Sequence, residues 1–179
     1  MEKVLVIDAE KCDGCRKCET ACSLQHTGTE NPDRSRIRIL TWEQIGLHVP
    51  IACQSCVRPF CTEVCPAKAC HKDLKTNKVV IDKDKCIGCK TCIIACPFGV
   101  PRFDHVERVT IKCDFCDGDP ECTKSCEPKA IQYMDVEFVG MNRRRDVFQK
   151  FLTDYMAGNP IALEAHTGFE QGFPVSLVR

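Results

Sequence analysis

The chain has 179 residues, a length that suits one domain or two small ones. Lys+Arg and Asp+Glu both number 25, so the polypeptide is formally neutral, and outside the Arg143–Arg145 run nothing suggests a nucleic-acid partner. Seventeen residues are cysteine, a density that demands a covalent or metal explanation.

Glu2, Lys3, Asp8, Glu10 and Lys11 break up the N-terminal segment, which therefore does not read as a signal peptide. The arginine run lies too far along to act as a twin-arginine signal. No stretch approaches the roughly 20 apolar residues of a membrane span. These features predict a cytoplasmic protein without a membrane span. Thiols stay reduced in that compartment, which turns the cysteine density towards metal rather than disulfides.

In chain order, Val4–Ile7 predicts a first short strand, leading into Cys12, Cys15, Cys18 and Cys22. The loop Ser23–Ala52 has 30 residues and carries the turn signal Asn31-Pro32-Asp33, a predicted strand at Ile37–Leu40, and Trp42. A second group follows: Cys53, Cys56, Cys61 and Cys65. Val79–Ile81 predicts the next strand, before Cys86, Cys89, Cys92 and Cys96. A shorter loop of 16 residues, Pro97–Lys112, precedes Cys113, Cys116, Cys122 and Cys126. Ile131–Met134 predicts a last strand, and only Cys70 belongs to no group. Beyond residue 135 the cysteines stop. Val147, Phe148, Phe151, Leu152, Tyr155 and Met156 form one apolar stripe and predict a helix over Arg143–Ala157, with Asn142 as N-cap and Gly158 and Pro160 as the stop. Asn159–Arg179 reads as an extended tail with scattered apolar residues such as Phe169, Phe173 and Leu177.

The groups reveal a duplication. Val6-Ile7-Asp8 before Cys12 matches Val80-Ile81-Asp82 before Cys86, and Gly14 matches Gly88. Ile51-Ala52-Cys53 matches Ile111-Lys112-Cys113, and the segment Cys65–Cys70 matches Cys126–Ile131. Residues 1–135 thus divide into pseudo-repeats 1–75 and 76–135, and residues 136–179 form a separate C-terminal part that suits docking to a partner. The expected fold class is α+β: two modules of short strands and short helices built around their cysteines.

The spacing CxxCxxC places three thiolates around a tight arc, one for each of three corners of a cubane cluster. The fourth cysteine, three residues on, usually ligates a different cluster. Groups one and three have this pattern, and group three has the full CxxCxxCxxxCP. Groups two and four, CxxC-x4-C-x3-C and CxxC-x5-C-x3-C, could each alone close a zinc tetrahedron. Their place inside the duplication favours clusters, four 4Fe–4S in all. Three clusters and a zinc at group four are the alternative. With cysteine on every iron no open coordination position remains, so the chemistry implied is electron transfer rather than catalysis.

These residues resemble the bacterial-ferredoxin-like iron–sulfur subunits of the dimethyl sulfoxide reductase family. The likeness covers about residues 1–135 and rests on the four groups in order, on Asn31-Pro32 with Ser35-Arg36-Ile37, on Cys53-Gln54-Ser55-Cys56 with Pro59, and on Cys86-Ile87-Gly88-Cys89 through Cys96-Pro97-Phe98-Gly99. The resemblance implies swapped fourth ligands. Cys12, Cys15 and Cys18 would share a cluster with Cys126, and Cys113, Cys116 and Cys122 with Cys22. Cys53, Cys56 and Cys61 would share one with Cys96, and Cys86, Cys89 and Cys92 with Cys65. It also implies a role as the non-catalytic electron-transfer subunit of an oxidoreductase. The catalytic partner would carry molybdenum or tungsten, as in tungsten aldehyde oxidoreductase-type or benzoyl-CoA reductase complexes. A ferredoxin or a flavin-containing subunit would be the electron carrier. A free-standing polyferredoxin and a zinc-stabilised scaffold are the competing readings.

Among the other residues, Lys11, Arg16, Lys17, Lys85 and Lys90 sit within the motifs and would either raise cluster potentials or be plainly solvated. Phe60, Phe98 and Phe115 neighbour cluster cysteines and are expected to exclude water. Cys70 aligns with Ile131 and is expected to pack as a small apolar residue. The five histidines are not expected to ligate.

Overall fold

The computed structural model describes residues 3–74 and 76–157, and the chain divides into two compact units, Met1–Asp135 and Val136–Arg179. In the first unit the sequence supplies only brief β-branched runs, and they pair two by two. β1 (Lys3–Ile7) lies antiparallel to β8 (Ile131–Asp135), with Val4 opposite Met134 and Ile7 opposite Ile131, so the unit's two ends are stitched together. β2 (Arg38–Trp42) and β3 (Leu47–Ile51) form a hairpin. β4 (Cys70–Lys72) pairs with β5 (Val79–Ile81), and β6 (Arg102–Asp104) with β7 (Val109–Ile111). All four pairs are two-stranded ribbons.

The duplication is visible in this order. β1 and β5 each lead into a CxxCxxC group, β4 and β8 each follow the other kind, and the hairpins β2–β3 and β6–β7 deliver the chain to Cys53 and Cys113. The strands expected at Val4–Ile7, Val79–Ile81 and Ile131–Met134 are present, and the one expected at Ile37–Leu40 is shifted to Arg38–Trp42. β3, β4, β6 and β7 have no clear signal in the sequence. β3 contains Pro50, which cannot donate to a ladder, and the other three are only three residues long.

Each three-residue spacer before a fourth cysteine spans a helical turn. α1 (Lys17–Thr27) carries Cys18 and Cys22, α2 (Phe60–Glu63) carries Cys61, α3 (Thr91–Ala95) carries Cys92, and α4 (Glu121–Lys124) carries Cys122. α1 ends at Gly28, a left-handed residue at φ 67° whose N–H returns to Leu24. The main core gathers Leu5, Ile37, Ile39, Ala52, Phe115, Ala130 and Ile131 around Cys18, Cys22, Cys113, Cys122 and Cys126. Buried Glu19 clamps α1 to β2, its Oε1 accepting from the Ile39 N–H at 2.8 Å.

In the second unit the helix expected over Arg143–Ala157 is α5 (Val136–Met156), which starts seven residues earlier. Asn142 is therefore inside the helix and not its N-cap. Glu137 in the first turn complements the helix dipole, and the moderate penalties of Gly140 and Asn142 do not stop propagation. Val147, Phe148, Phe151 and Leu152 lie exposed along α5. The expected stop at Gly158 and Pro160 and the tail Asn159–Arg179 lie outside the described residues.

Gly14 and Gly88 hold equivalent left-handed positions at φ +74° and +69°. A Cβ on Gly14 would meet the His48 ring at 2.6 Å, whereas one on Gly88 would meet the Arg108 carbonyl oxygen at 2.9 Å. A ring can swing aside, and a backbone carbonyl held beside a ribbon cannot. The left-handed backbone alone costs an alanine roughly 1–2 kcal/mol. Both Gly→Ala variants should lower the thermal midpoint of the metal-loaded protein, with Gly88→Ala clearly the worse. Equal midpoints for the two would show that the Arg108 contact carries no weight.

Candidate metal centres

The backbone that bears the cysteines is bent to aim sulfur inward. Arg16 and Lys90, at matching positions, both adopt left-handed conformations, φ 59° and 64°, immediately before α1 and α3. Ser55 and Phe115 repeat the device inside groups two and four, at φ 44° and 61°, and Lys68 and Lys129 repeat it after the fourth cysteines. All seventeen cysteines are free.

The structure brings these sulfurs together across the groups. Cys12, Cys15, Cys18 and Cys126 line one cavity, with about 280 Å³ of unfilled space, part of it open solvent. Cys65, Cys86, Cys89 and Cys92 line a second, of about 320 Å³ on the same measure, and Cys70 joins its wall. The other two sets reveal themselves electrostatically. Cys122 is pushed up by burial and then by charge on Cys113, Cys22 and Cys116. Cys56 is pushed up by burial and then by charge on Cys53, with Cys61 and Cys96 adding to it.

Burial raises the Cys18 and Cys113 thiols to about 12. A lone thiolate is thus disfavoured, and only a cation bound at the sulfurs would restore it. Main-chain donors already face several of them. The Arg36 N–H points at Cys22 Sγ at 3.3 Å, Cys70 N–H at Cys65 Sγ at 3.4 Å, Ser55 N–H at Cys53 Sγ at 3.5 Å and Thr110 N–H at Cys86 Sγ at 3.5 Å. Soft thiolate donors in fours, with amides directed at sulfur, fit iron–sulfur clusters.

The charges within the motifs are placed differently from one of the sequence expectations. Lys11 pairs with Asp8 at 2.7 Å, Lys17 with Glu127 at 2.5 Å and Lys85 with Asp82 at 2.7 Å, while Lys90 lies 4.2 Å from the Phe103 ring centroid. The first three spend their charge on carboxylates. The cation that does reach a cysteine is Lys112, 4% exposed, whose Nζ lies 3.4 Å from Cys53 Sγ. Its one sequence signal is that it replaces Ala52 of the other repeat. Of the three phenylalanines expected to exclude water, Phe115 is buried, but Phe60 and Phe98 are 57% and 55% exposed. They sit at the surface ends of short helical turns, where no second layer covers them. Cys70 is buried in β4, as a packing residue would be, and its thiol also hydrogen-bonds Cys61. His26 stands beside group four, Nε2 3.5 Å from Cys116 Sγ and 3.6 Å from Asp114 Oδ1. Burial and the nearby Arg36 lower its pKa, which favours the neutral ring.

Known proteins agree with the donor chemistry. A family model described as a 4Fe-4S dicluster domain matches residues 45–136, and one described as a 4Fe-4S binding domain matches residues 4–25. The polyferredoxin-like subunit of an aliphatic sulfonate oxidoreductase from Pyrococcus furiosus is 41% identical over 68% of this chain and 70% of its own length. The chain belongs to the 4Fe-4S dicluster family. A putative electron transport protein of Escherichia coli, YsaA, is 36% identical over 81% of this chain and 98% of its own. One subunit of the anaerobic dimethyl sulfoxide reductase of Escherichia coli is 34% identical, with coverages of 73% and 72%. The α+β architecture of short ribbons and turns is that of small ferredoxin-like dicluster domains. Relatives of this dicluster protein thus include iron–sulfur electron-transfer subunits of oxidoreductase complexes. Among the described residues no helix is long and apolar enough to cross a membrane.

In the dicluster unit, sulfur fills positions that apolar side chains would otherwise hold. Removing iron with a chelator under oxidising conditions should unfold residues 3–135. Circular dichroism and thermal melts of the stripped protein check this. A native-like spectrum with a cooperative melt would show that the polypeptide core suffices alone.

Proposed function

We propose that this chain is the non-catalytic electron-relay subunit of a larger oxidoreductase, holding four 4Fe–4S clusters in a row. Its ligand sets would be Cys12, Cys15, Cys18 and Cys126; Cys22, Cys113, Cys116 and Cys122; Cys53, Cys56, Cys61 and Cys96; and Cys65, Cys86, Cys89 and Cys92. The observation that carries the reading is the convergence of sulfurs from distant groups, clearest in the cavity where Cys126 meets Cys12, Cys15 and Cys18. Clusters so bound supply reversible one-electron transfer.

Mutual influence between the sets supports a linear order. Cys122 feels Cys18 of the first set, and Cys113 feels Cys53 of the third. Cys70 feels both Cys61 of the third and Cys92 of the fourth. The chain's own part is to hold the sulfurs, aim amides at them and keep water from the inner sets with Phe115 and the aliphatic core.

The relatives named as subunits of an aliphatic sulfonate oxidoreductase and of dimethyl sulfoxide reductase favour a catalytic partner over a free carrier. That partner would carry molybdenum or tungsten, with a ferredoxin or flavin protein exchanging electrons at the far end. The exposed apolar residues of α5 support docking by residues 136–179. In this reading the complex is cytoplasmic, and among the described residues no helix is long and apolar enough to cross a membrane.

One observation favours a second reading of group four. His26, Asp114 and Cys116 offer ligand atoms within 4.8 Å of one another, a donor mixture that zinc accepts. Metal analysis of protein purified without oxygen separates the two. Four cubanes require about 16 iron and 16 labile sulfide per chain, whereas a zinc at group four leaves roughly 12 iron and one zinc. Replacing Cys126 by Ala should then disturb the cluster of Cys12, Cys15 and Cys18 and leave that of Cys86 intact, as read by electron paramagnetic resonance. Loss of the group-four signal instead would mean that each group holds its own metal.

A further inference from the structure

Lys112 turns its side-chain nitrogen towards a cysteine sulfur. Its Nζ donates to the carbonyl of Val79, to that of Cys113 at 3.1 Å and to Cys53 Sγ at 3.4 Å. No carboxylate among the described residues forms an ion pair with it. A buried ammonium without counter-charge is costly, so an anionic group at Cys53 is what makes this lysine tolerable. A second donor converges on the same set. The Cys70 thiol hydrogen-bonds Cys61, while the Cys70 N–H serves Cys65 Sγ at 3.4 Å.

The duplication supplies an internal comparison. The equivalent of Lys112 is Ala52 and the equivalent of Cys70 is Ile131, and both share the buried core with Cys113 and Cys122. Two donors in one half are thus replaced by two hydrocarbon groups in the other. The related set does have polar neighbours, but they face a carboxylate of their own. The Arg36 side chain is engaged by Asp114, and His26, 3.5 Å from Cys116, lies 3.6 Å from the same carboxylate.

We propose that Lys112 and Cys70 raise the reduction potential of the centre held by Cys53, Cys56, Cys61 and Cys96 above that of its repeat-related counterpart at Cys22, Cys113, Cys116 and Cys122. The inference rests on the ligand sets proposed above. Reduction places one electron, delivered by the partner carrier, on a centre that is already anionic, and no bond forms or breaks. A fixed positive charge and an S–H donor at the ligand sulfurs favour the more negative state. Towards Cys113, Lys112 meets only the backbone oxygen, so its direct hydrogen bond to sulfur serves one centre and not both.

The test is an anoxic redox titration of the full chain, followed by electron paramagnetic resonance. The centre concerned is identified as the signal altered by Cys96→Ser, and its counterpart as the signal altered by Cys22→Ser. In the unmodified chain the first should be reduced at the more positive potential. Lys112→Met should lower the reduction equilibrium of that centre more than tenfold, about 59 mV for a one-electron couple. Lys112→Gln keeps amide donors and loses the charge, so it should lower the same signal. Cys70→Ala should lower it by less than tenfold. Should Lys112→Met fail to retain its iron, Lys112→Gln and Cys70→Ala decide the matter. Full iron content with unmoved potentials in those two variants overturns the inference, and so does a larger shift in the counterpart. An unmodified chain with fewer than four clusters would instead defeat the ligand sets, a failure that metal analysis recognises before any titration.

Discussion

Sulfur occupies, in the first unit, places that aliphatic side chains hold in most small proteins, and the rest of the architecture answers to that. Five of the twelve residues in the main buried cluster are cysteines. The ribbons around them are three to five residues long and have no broad face to bury. As thiols these cysteines pack like small apolar groups. As thiolates they are costly, since burial, with neighbouring negative charge adding to it, takes Cys18 and Cys113 up to about 12. The left-handed residues, the single-turn helices and the two glycines at φ near +70° make sense as devices that point sulfur at common centres. Iron bridging those sulfurs would then do the work that sheet packing does elsewhere.

The same constraint explains which parts of the structure could be read from sequence. Cysteine spacing is rigid chemistry, so the four groups and the duplication are legible residue by residue, and β1, β5 and β8 follow because they are the β-branched runs flanking the groups. β4, β6 and β7 escape notice because three residues carry no periodicity. Lys112 escapes because a lysine beside a cysteine looks like any solvated charge. Its burial depends on Val79, Cys53 and the segment just past β7 meeting in space. The helix start fails for a complementary reason. The apolar stripe from Val147 onwards is amphipathic and visible, while Val136–Asn142, with two valines, a phenylalanine, a glycine and an asparagine, has low helix propensity and gives no such signal.

Charge is distributed in a way the composition conceals. Lys11, Lys17 and Lys85 are spent on carboxylates near the surface, and such pairs contribute little to stability. The pairs that matter structurally are more buried. Arg34, from the long loop of the first repeat, bonds Asp104 at 2.8 Å and Glu107 at 2.9 Å on the β6–β7 hairpin of the second. Asp104 is buried, and net of the cost of burial its carboxyl is held below the ordinary range, chiefly by the Arg34 hydrogen bond. The extra length of the first loop, 30 residues against 16, therefore reaches across and grips the other repeat.

A duplicated chain allows each half to serve as the reference for the other. Where the repeats agree, as at Gly14 and Gly88 or Arg16 and Lys90, both halves solve the same problem of wrapping backbone around sulfur. Where they differ while burial stays the same, wrapping is satisfied either way and the difference is free to set something else. Ala52 and Lys112 are both buried, as are Ile131 and Cys70, yet one member of each pair is hydrocarbon and the other a donor. A fold that needed only to close over metal would have no cause to bury an ammonium where alanine already fits. On the proposed ligand sets, the asymmetry therefore belongs to the energetics of the centres they would hold rather than to the fold, and it would separate two inner sets that cysteine spacing alone would make alike.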